Sequence, residues 1–577
     1  MRKFRLSAFA FAMLGTAVLS APLAASADTW EELTALSSVF PANTDVYIGL
    51  RTDDDYIAAL DAVLQQINRA VDAPDPQSLY DILDEAAASL NGGVSFAETI
   101  RPAIGDEAAF AVGDMSVLLD DKPDNDNAAE LALAVRLNAE GQNFIREQLD
   151  GDMIENLYEI TDEDGILYYR PLDPVATPAF IYATEEVLVI TSSPRMLPIS
   201  REARLSTRAD LGEAFEGLPE DEYNIIAWID VSQIFSAVIG PITAMGEAMP
   251  ELEAQIEVLE ALEGAYLSQV WGFTILDDRS FTIDLVQRFD PALLAQSGLS
   301  ATMISGLPAF DQAFLGRIPS GSAAVIVGTG LDVSIDAALL QLQGLGEEGE
   351  TLLRQVDVFV RGITGQNLEE IAEWATGNYA LVTTPLPELM DLMTGAMPEL
   401  FPIDFGLVVE TSDPAASARF VENLFNTVGA LPQDQGATLT AGEDTLAGVE
   451  VDTITITAPD LPFPIEIVFA STDEVVAIGT RGLVTAALDG EADFAADAAT
   501  AEALTYVLPG SSTFLYLGGE AIAPIGPLLT GTMMSGATAT MPDTIGIITG
   551  VLSTATITTV TVEDSATVRM VWTLPAE

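Results

Sequence analysis

Short apolar runs recur along this chain, each introduced by an apolar residue, a proline and a brief polar turn. Phe40-Pro41 precedes Val46–Leu50 and Leu218-Pro219 precedes Asn224–Trp228. Ile318-Pro319 precedes Ala323–Val327 and Leu508-Pro509 precedes Thr513–Leu517. Proline fixes φ and ends the element before it, so each run reads as a buried strand entered from a turn. Each then leads into an apolar helical segment, with Asp230-Val-Ser232 and Asp332-Val-Ser334 at two of the strand-to-helix steps. Elsewhere the text reads as paired strands. Ala108–Leu119 and Ala129–Leu137 flank the loop Asp120–Asn127, while Asp162–Gly165, Asp277-Asp278 and Glu563-Asp564 mark tight turns. Helical spacing predicts helices over Gln142–Leu149, Pro414–Val428, Leu252–Leu267 and Ser334–Val356, the last broken near Gly344 and Gly346.

The same order of signals occurs twice. Gly105–Val112 corresponds to Gly377–Thr383, Leu131–Arg136 to Phe405–Glu410, and Glu186–Thr191 to Glu474–Gly479. Their shared order, rather than any single match, predicts a duplication. The expected fold is α+β: two homologous tandem domains, each an antiparallel or mixed sheet with packed helices. The first domain is expected over 28–290 and the second over 291–577, with the junction near Asp290-Pro291 and a helical connector ending at Arg317.

Charge narrows the function. The 577 residues hold 22 Lys+Arg against 88 Asp+Glu, a formal net charge of -66, and neither His nor Cys. That composition excludes disulfides, thiolate nucleophiles, Cys-ligated metals, a Ser-His-Asp triad and an imidazole switch. Lysine is confined to Lys3 and Lys122. A surface so poor in cations repels nucleic acid and an anionic membrane surface. Hydrophobic residues nevertheless make up 49%, so the chain lies well outside the composition of intrinsic disorder.

The first residues read as a secretory signal peptide over 1–27, with a basic start, the apolar stretch Leu6–Leu19 and cleavage after Ala27. Removal leaves 550 residues with a net charge of -69. No transmembrane anchor is expected after cleavage, and the product is expected to be secreted or periplasmic.

Any chemistry must then rest on carboxylates, hydroxyls, backbone groups or arginine. The acids that follow the four Pro-introduced strands (Asp53, Asp230, Asp332 and Glu520) are expected to cap helix N-termini. The loop 120–127 offers Asp120, Asp121, Asp124 and Asp126 as a weak calcium candidate, because hard cations take six to eight oxygens. It lacks the spacing and central Gly of an EF-hand loop, so a solvated hairpin tip is the plainer expectation. No other cofactor is expected. A glycosidase needs only two suitably spaced carboxylates, and 88 acids do not single out a pair. Trp228, Trp271 and Trp572 lie in expected strands, where packing is their commoner role.

The export signal, the step Phe40-Pro41-Ala42-Asn43-Thr44 into a strand, and the duplicated α+β halves resemble the bacterial exported proteins grouped as domain of unknown function 3352. The resemblance implies extracytoplasmic placement and supplies no catalytic residues. The expected function is a non-catalytic binding, scaffold or cell-envelope component, with cations or an envelope component as partners. Two alternatives stand beside it: a carboxylate-dependent extracellular hydrolase, and a small-molecule or lipid carrier using an inter-domain cleft.

Overall fold

The computed structural model describes residues 28–575, except 71–75, 92–94, 116–129, 142, 144–155, 164–165, 174–178, 198–202, 234, 236–263, 278, 297–306, 345, 386–402, 432–437, 460–462, 520, 523–551 and 563. Two compact units result, Met1–Asp290 with Leu574–Glu577, and Pro291–Thr573.

The first unit contains the strands β1 (Val46–Arg51), β2 (Ile104–Val112), β3 (Leu131–Leu137), β4 (Tyr158–Glu163), β5 (Ile166–Pro171), β6 (Phe180–Ala183), β7 (Val187–Thr191), β8 (Ile225–Ile229), β9 (Tyr266–Ile275) and β10 (Ser280–Phe289). They form an antiparallel sheet in the order β10-β9-β8-β1-β2-β3-β7-β6-β5-β4. The second unit contains β11 (Ala324–Thr329), β12 (Asn378–Thr383), β13 (Phe405–Glu410), β14 (Thr438–Leu446), β15 (Val449–Thr457), β16 (Ile465–Ser471), β17 (Val475–Gly479), β18 (Thr513–Gly518), β19 (Thr554–Val562) and β20 (Ser565–Thr573). Their order is β20-β19-β18-β11-β12-β13-β17-β16-β15-β14, again antiparallel. Strand for strand, the two orders are the same. The fold class is therefore α+β, with antiparallel rather than mixed sheets.

The four Pro-introduced strands occupy the middle of these sheets: β1 lies beside β8, and β11 beside β18. Three of their turns close alike. The Thr44 hydroxyl donates to the Pro41 carbonyl and the Ser322 hydroxyl to the Pro319 carbonyl, each at 2.8 Å, and Ser511 donates to Leu508 at 2.7 Å. Pairing registers refine the alignment by one residue: Val46 takes the place of Ala324, and Ile225 that of Thr513. One cross-strand polar pair recurs with its charges changed. Arg136 meets Glu107 at 2.8 Å in the first unit, and at the matching positions Glu410 accepts from the Asn378 amide at 2.6 Å.

Helices α1 (Asp54–Ala70), α2 (Leu79–Asn91) and α3 (Ala209–Phe215) belong to the first unit. The second has α4 (Leu331–Gly344), α5 (Gly346–Thr364), α6 (Pro414–Gly429) and α7 (Arg481–Asp489). The expected break at Gly344 and Gly346 is where α4 ends and α5 begins. The helix expected over Pro414–Val428 is α6, started by Pro414 at its first position and by Asp413, which accepts from the Ala415 and Ala416 amides. One expectation fails at its end: of the helix expected over Leu252–Leu267, residues 252–263 lie outside the described residues, and Tyr266 and Leu267 belong to β9. Tyr266 pairs with Phe289 of β10 and Ser268 with Arg288, the register shifting at Leu267 between them, and that pairing outweighs the local helical spacing. The helix expected over Gln142–Leu149 and the signal segment 1–27 fall outside the described residues, apart from Asn143. Among the described residues, no helix is long and apolar enough to cross a membrane.

Candidate functional site

The calcium candidates Asp120, Asp121, Asp124 and Asp126 lie outside the described residues, as does Glu520. Among the described residues, no group of three or more acids is arranged to hold a metal ion. Asp53 and Asp230 cap as expected: Asp53 accepts from the Tyr56 amide at 3.0 Å, and Asp230 from the Gln233 amide at 3.3 Å. Asp332 stands instead inside the first turn of α4.

Asp230 does more than cap. Its Oδ2 accepts from Arg208 Nη2 at 2.8 Å, and its Oδ1 accepts from the Ser232 hydroxyl at 2.6 Å. Arg208 also pairs with Asp210, and its guanidinium lies 4.6 Å from the centre of the Trp228 ring. Asp45, next to β1, joins the cluster through its field. Burial pushes its carboxyl above the usual range to about 6; the Met115 amide works against that shift, and Asp230 and Asp114 add to it. A raised carboxyl beside an arginine-paired one is the pattern of an acid–base couple. Here, however, both oxygens of Asp230 are occupied by its own fold, and Asp45 accepts from Met115 at 2.9 Å. The matching positions of the second unit are Ala323 and Gly518, so the cluster is a feature of the first unit alone.

A folded pKa above the unfolded one means that the native state binds the proton more tightly. Stability therefore falls as pH rises from about 4 through about 6. Asp45→Asn is accordingly expected to raise stability near pH 7 by about 1 kcal/mol, a figure already reduced because the carboxyl is half exposed, and to leave it unchanged near pH 4. Urea unfolding at the two pH values checks this.

A shallow depression of about 360 Å³ is lined by Asp54, Tyr80, Ala97, Arg101, Pro102 and Asn138. Its charged and amide side chains already have partners. Arg101 meets Asp54 at 2.7 Å and donates to the Ile104 carbonyl, while the Asn138 amide donates to the Pro102 and Ile104 carbonyls. It offers no acid pair for hydrolysis.

The larger feature is a sheet face. Antiparallel strands usually alternate, apolar toward the core and polar toward water. In the second unit, Val325, Val327, Ala380, Val382, Val408, Ala477, Phe514 and Tyr516 face the core with Phe314 and Phe494. The opposite face is not polar. Met570, Ile557, Leu515, Ile326, Leu381, Leu407 and Ile478 stand directly opposite one another across seven strands. The row on one side runs Trp572, Ala555, Leu517, Ala324, Thr383, Phe405, and that on the other Val568, Thr559, Thr513, Gly328, Tyr379, Val409, Val476. No charge occurs in the three rows. At one end α6 covers the face, packing with Trp374, Val409 and Val476. Near the centre Ile326 is 36% exposed and Leu381 46%.

The first unit repeats the pattern in Leu285, Trp271, Ala227, Ile48, Phe110, Leu133 and Ile190. There Phe110, the counterpart of Leu381, is buried. The open apolar face is thus most developed around β11 and β12. Sequence reading missed it because a run apolar at every position does not reveal which residues share a face until the register is known. The signal that could have found it is the absence of charge from β11, β12 and β18 in so acidic a chain. No family model, curated protein or solved structure matches this chain.

Proposed function

We propose that this chain is an exported, non-catalytic binding protein that carries an apolar ligand on the uncharged face of its second sheet. The observation that carries the reading is the pair Ile326 and Leu381, half-open neighbours on central strands within three uncharged rows. A face without charged groups, interrupted only by Thr hydroxyls, one Tyr and the indole of Trp572, selects hydrocarbon by burial and not by directed bonds. Acyl chains and similar neutral apolar molecules are the matching class. The acidic exterior keeps such a carrier soluble and away from anionic membranes. The reading also takes 1–27 as a signal peptide, the two units as a duplication, and the likeness to the exported proteins of domain of unknown function 3352 as a sign of extracytoplasmic placement.

The occupied carboxylates of the Arg208 cluster favour this reading over the hydrolase. Binding is tested with a neutral fluorescent probe, N-phenyl-1-naphthylamine, because an anionic probe would be repelled. Saturable binding is expected, unaffected by salt. Ile326→Ser combined with Leu381→Ser should weaken it about ten- to a hundredfold, since each loses part of roughly 1.5–3 kcal/mol of apolar contact. Equal affinity in the folded double variant, or no binding by the native chain, refutes the proposal.

A further inference from the structure

The hydroxyls that interrupt the uncharged face are not scattered over it. Thr559, Thr513 and Tyr379 share one row, with Gly328 between the last two. The middle row, which holds Ile326 and Leu381, has no hydroxyl. The far row has one, Thr383, and it donates to the Thr384 carbonyl at 3.2 Å. Thr559, Thr513 and Tyr379 are all part-buried, and among the described residues none of their hydroxyls has a hydrogen-bond partner.

Gly328 gives the row its shape. The Tyr379 ring packs in the apolar cluster beneath α6 and lies across β11, so that a Cβ at residue 328 would stand 2.6 Å from the phenol oxygen. The hydroxyl is thereby carried from β12 onto β11, where residue 328 pairs directly with Thr513. Burial holds the phenol above its usual pKa, so it stays a neutral donor. The first unit is built differently at the matching positions, which are Phe273, Ile225, Leu50 and Ala108. There Phe110 is buried and the row has no hydroxyl, so the hydroxyl row accompanies the open face. A row that met water alone, in a chain with 88 Asp+Glu, would be expected to carry acids.

We propose that the ligand of this face is a neutral amphiphile, an acyl chain that ends in an uncharged oxygen group such as an ester. Its carbonyl accepts from the Tyr379 and Thr513 hydroxyls, and its chain crosses Ile326 and Leu381 toward Leu517, Ala324 and Phe405. This head-group site presupposes the carrier reading above and adds a direction to it. Neighbouring rows are two residues apart along each strand, so the hydroxyl row and the far row are about 14 Å apart, the reach of a medium-length chain. A carboxylate or phosphate head would find no cation in the three rows, and desolvating it there unpaired is costly.

Displacement of N-phenyl-1-naphthylamine from the chain 28–577 tests the proposal, with methyl decanoate and decanoate as competitors. Salt at about 0.5 M screens the long-range repulsion of the anion by the protein's charge. The ester should displace the probe at least tenfold more effectively than the anion. Tyr379→Phe keeps the ring over Gly328, and Thr513→Val keeps the side chain's shape. Each should weaken the ester about three- to tenfold and leave the probe's own affinity within about twofold. Probe binding that persists with ester affinity unchanged in both variants overturns the head-group site and leaves the carrier reading standing. An ester that fails to displace bound probe, or a decanoate that binds as tightly as the ester, does the same. No probe binding by the native chain refutes both.

Discussion

Arg208→Met is expected to destabilise the first unit by about 3–5 kcal/mol near pH 7, the usual cost of removing one partner of a buried ion pair. Asp230 is only 5% exposed, and Arg208 Nη2 is its charged partner at 2.8 Å. Methionine keeps an apolar stem over Trp228, which is fully buried, so the loss reports mainly the charge. Without the guanidinium, folding must either bury an uncompensated carboxylate or protonate it. The variant's folded carboxyl is then raised above its unfolded value, and its deficit shrinks as pH falls toward about 4. Arg208→Met with Asp230→Asn should recover most of the loss, because no buried charge remains. Unfolding followed near pH 7 and near pH 4.5, with the two units' transitions resolved, checks both statements. A cost below about 1 kcal/mol near pH 7 would mean that Ser232 and the Gln233 amide satisfy Asp230 by themselves.

Much of the architecture is legible in the sequence, and the reason is local. Pro41, Pro219, Pro319 and Pro509 announce the strands at the sheet centres because proline, and the Thr or Ser behind it in all but the Pro219 turn, act within a few residues. Helix α6 is announced by Asp413-Pro414 and its apolar stripe. What the sequence obscures depends on partners far along the chain. Arg208 and Asp230 are 22 residues apart, and neither carries a local mark of the other. Asn224–Trp228, which the sequence sets beside Thr513–Leu517, stands one residue off in the sheet, because the turn after Pro219 is longer than that after Pro509. A slip of one residue exchanges the two faces of a strand. That exchange is enough to hide a face whose meaning lies in Ile326, Leu381 and Leu515 standing together. The end of the helix expected over Leu252–Leu267 fails for a related reason, since β10 claims Tyr266 as a strand partner.

The carrier reading turns on where an apolar molecule sits, and a tryptophan placed at Leu381 reports this directly. Leu381 is 46% exposed on β12, so the larger ring fits without repacking a core. Leu172, 59% exposed in the first unit, gives a matched control as Leu172→Trp. Bromine quenches indole emission only at short range. Titrating both variants with a neutral brominated fatty-acid methyl ester below its solubility limit should strongly and saturably quench the emission added by Leu381→Trp. The emission added by Leu172→Trp should change little. Equal quenching of the two reporters, or none at Leu381→Trp, would contradict the proposal that the uncharged face of the second sheet holds the ligand.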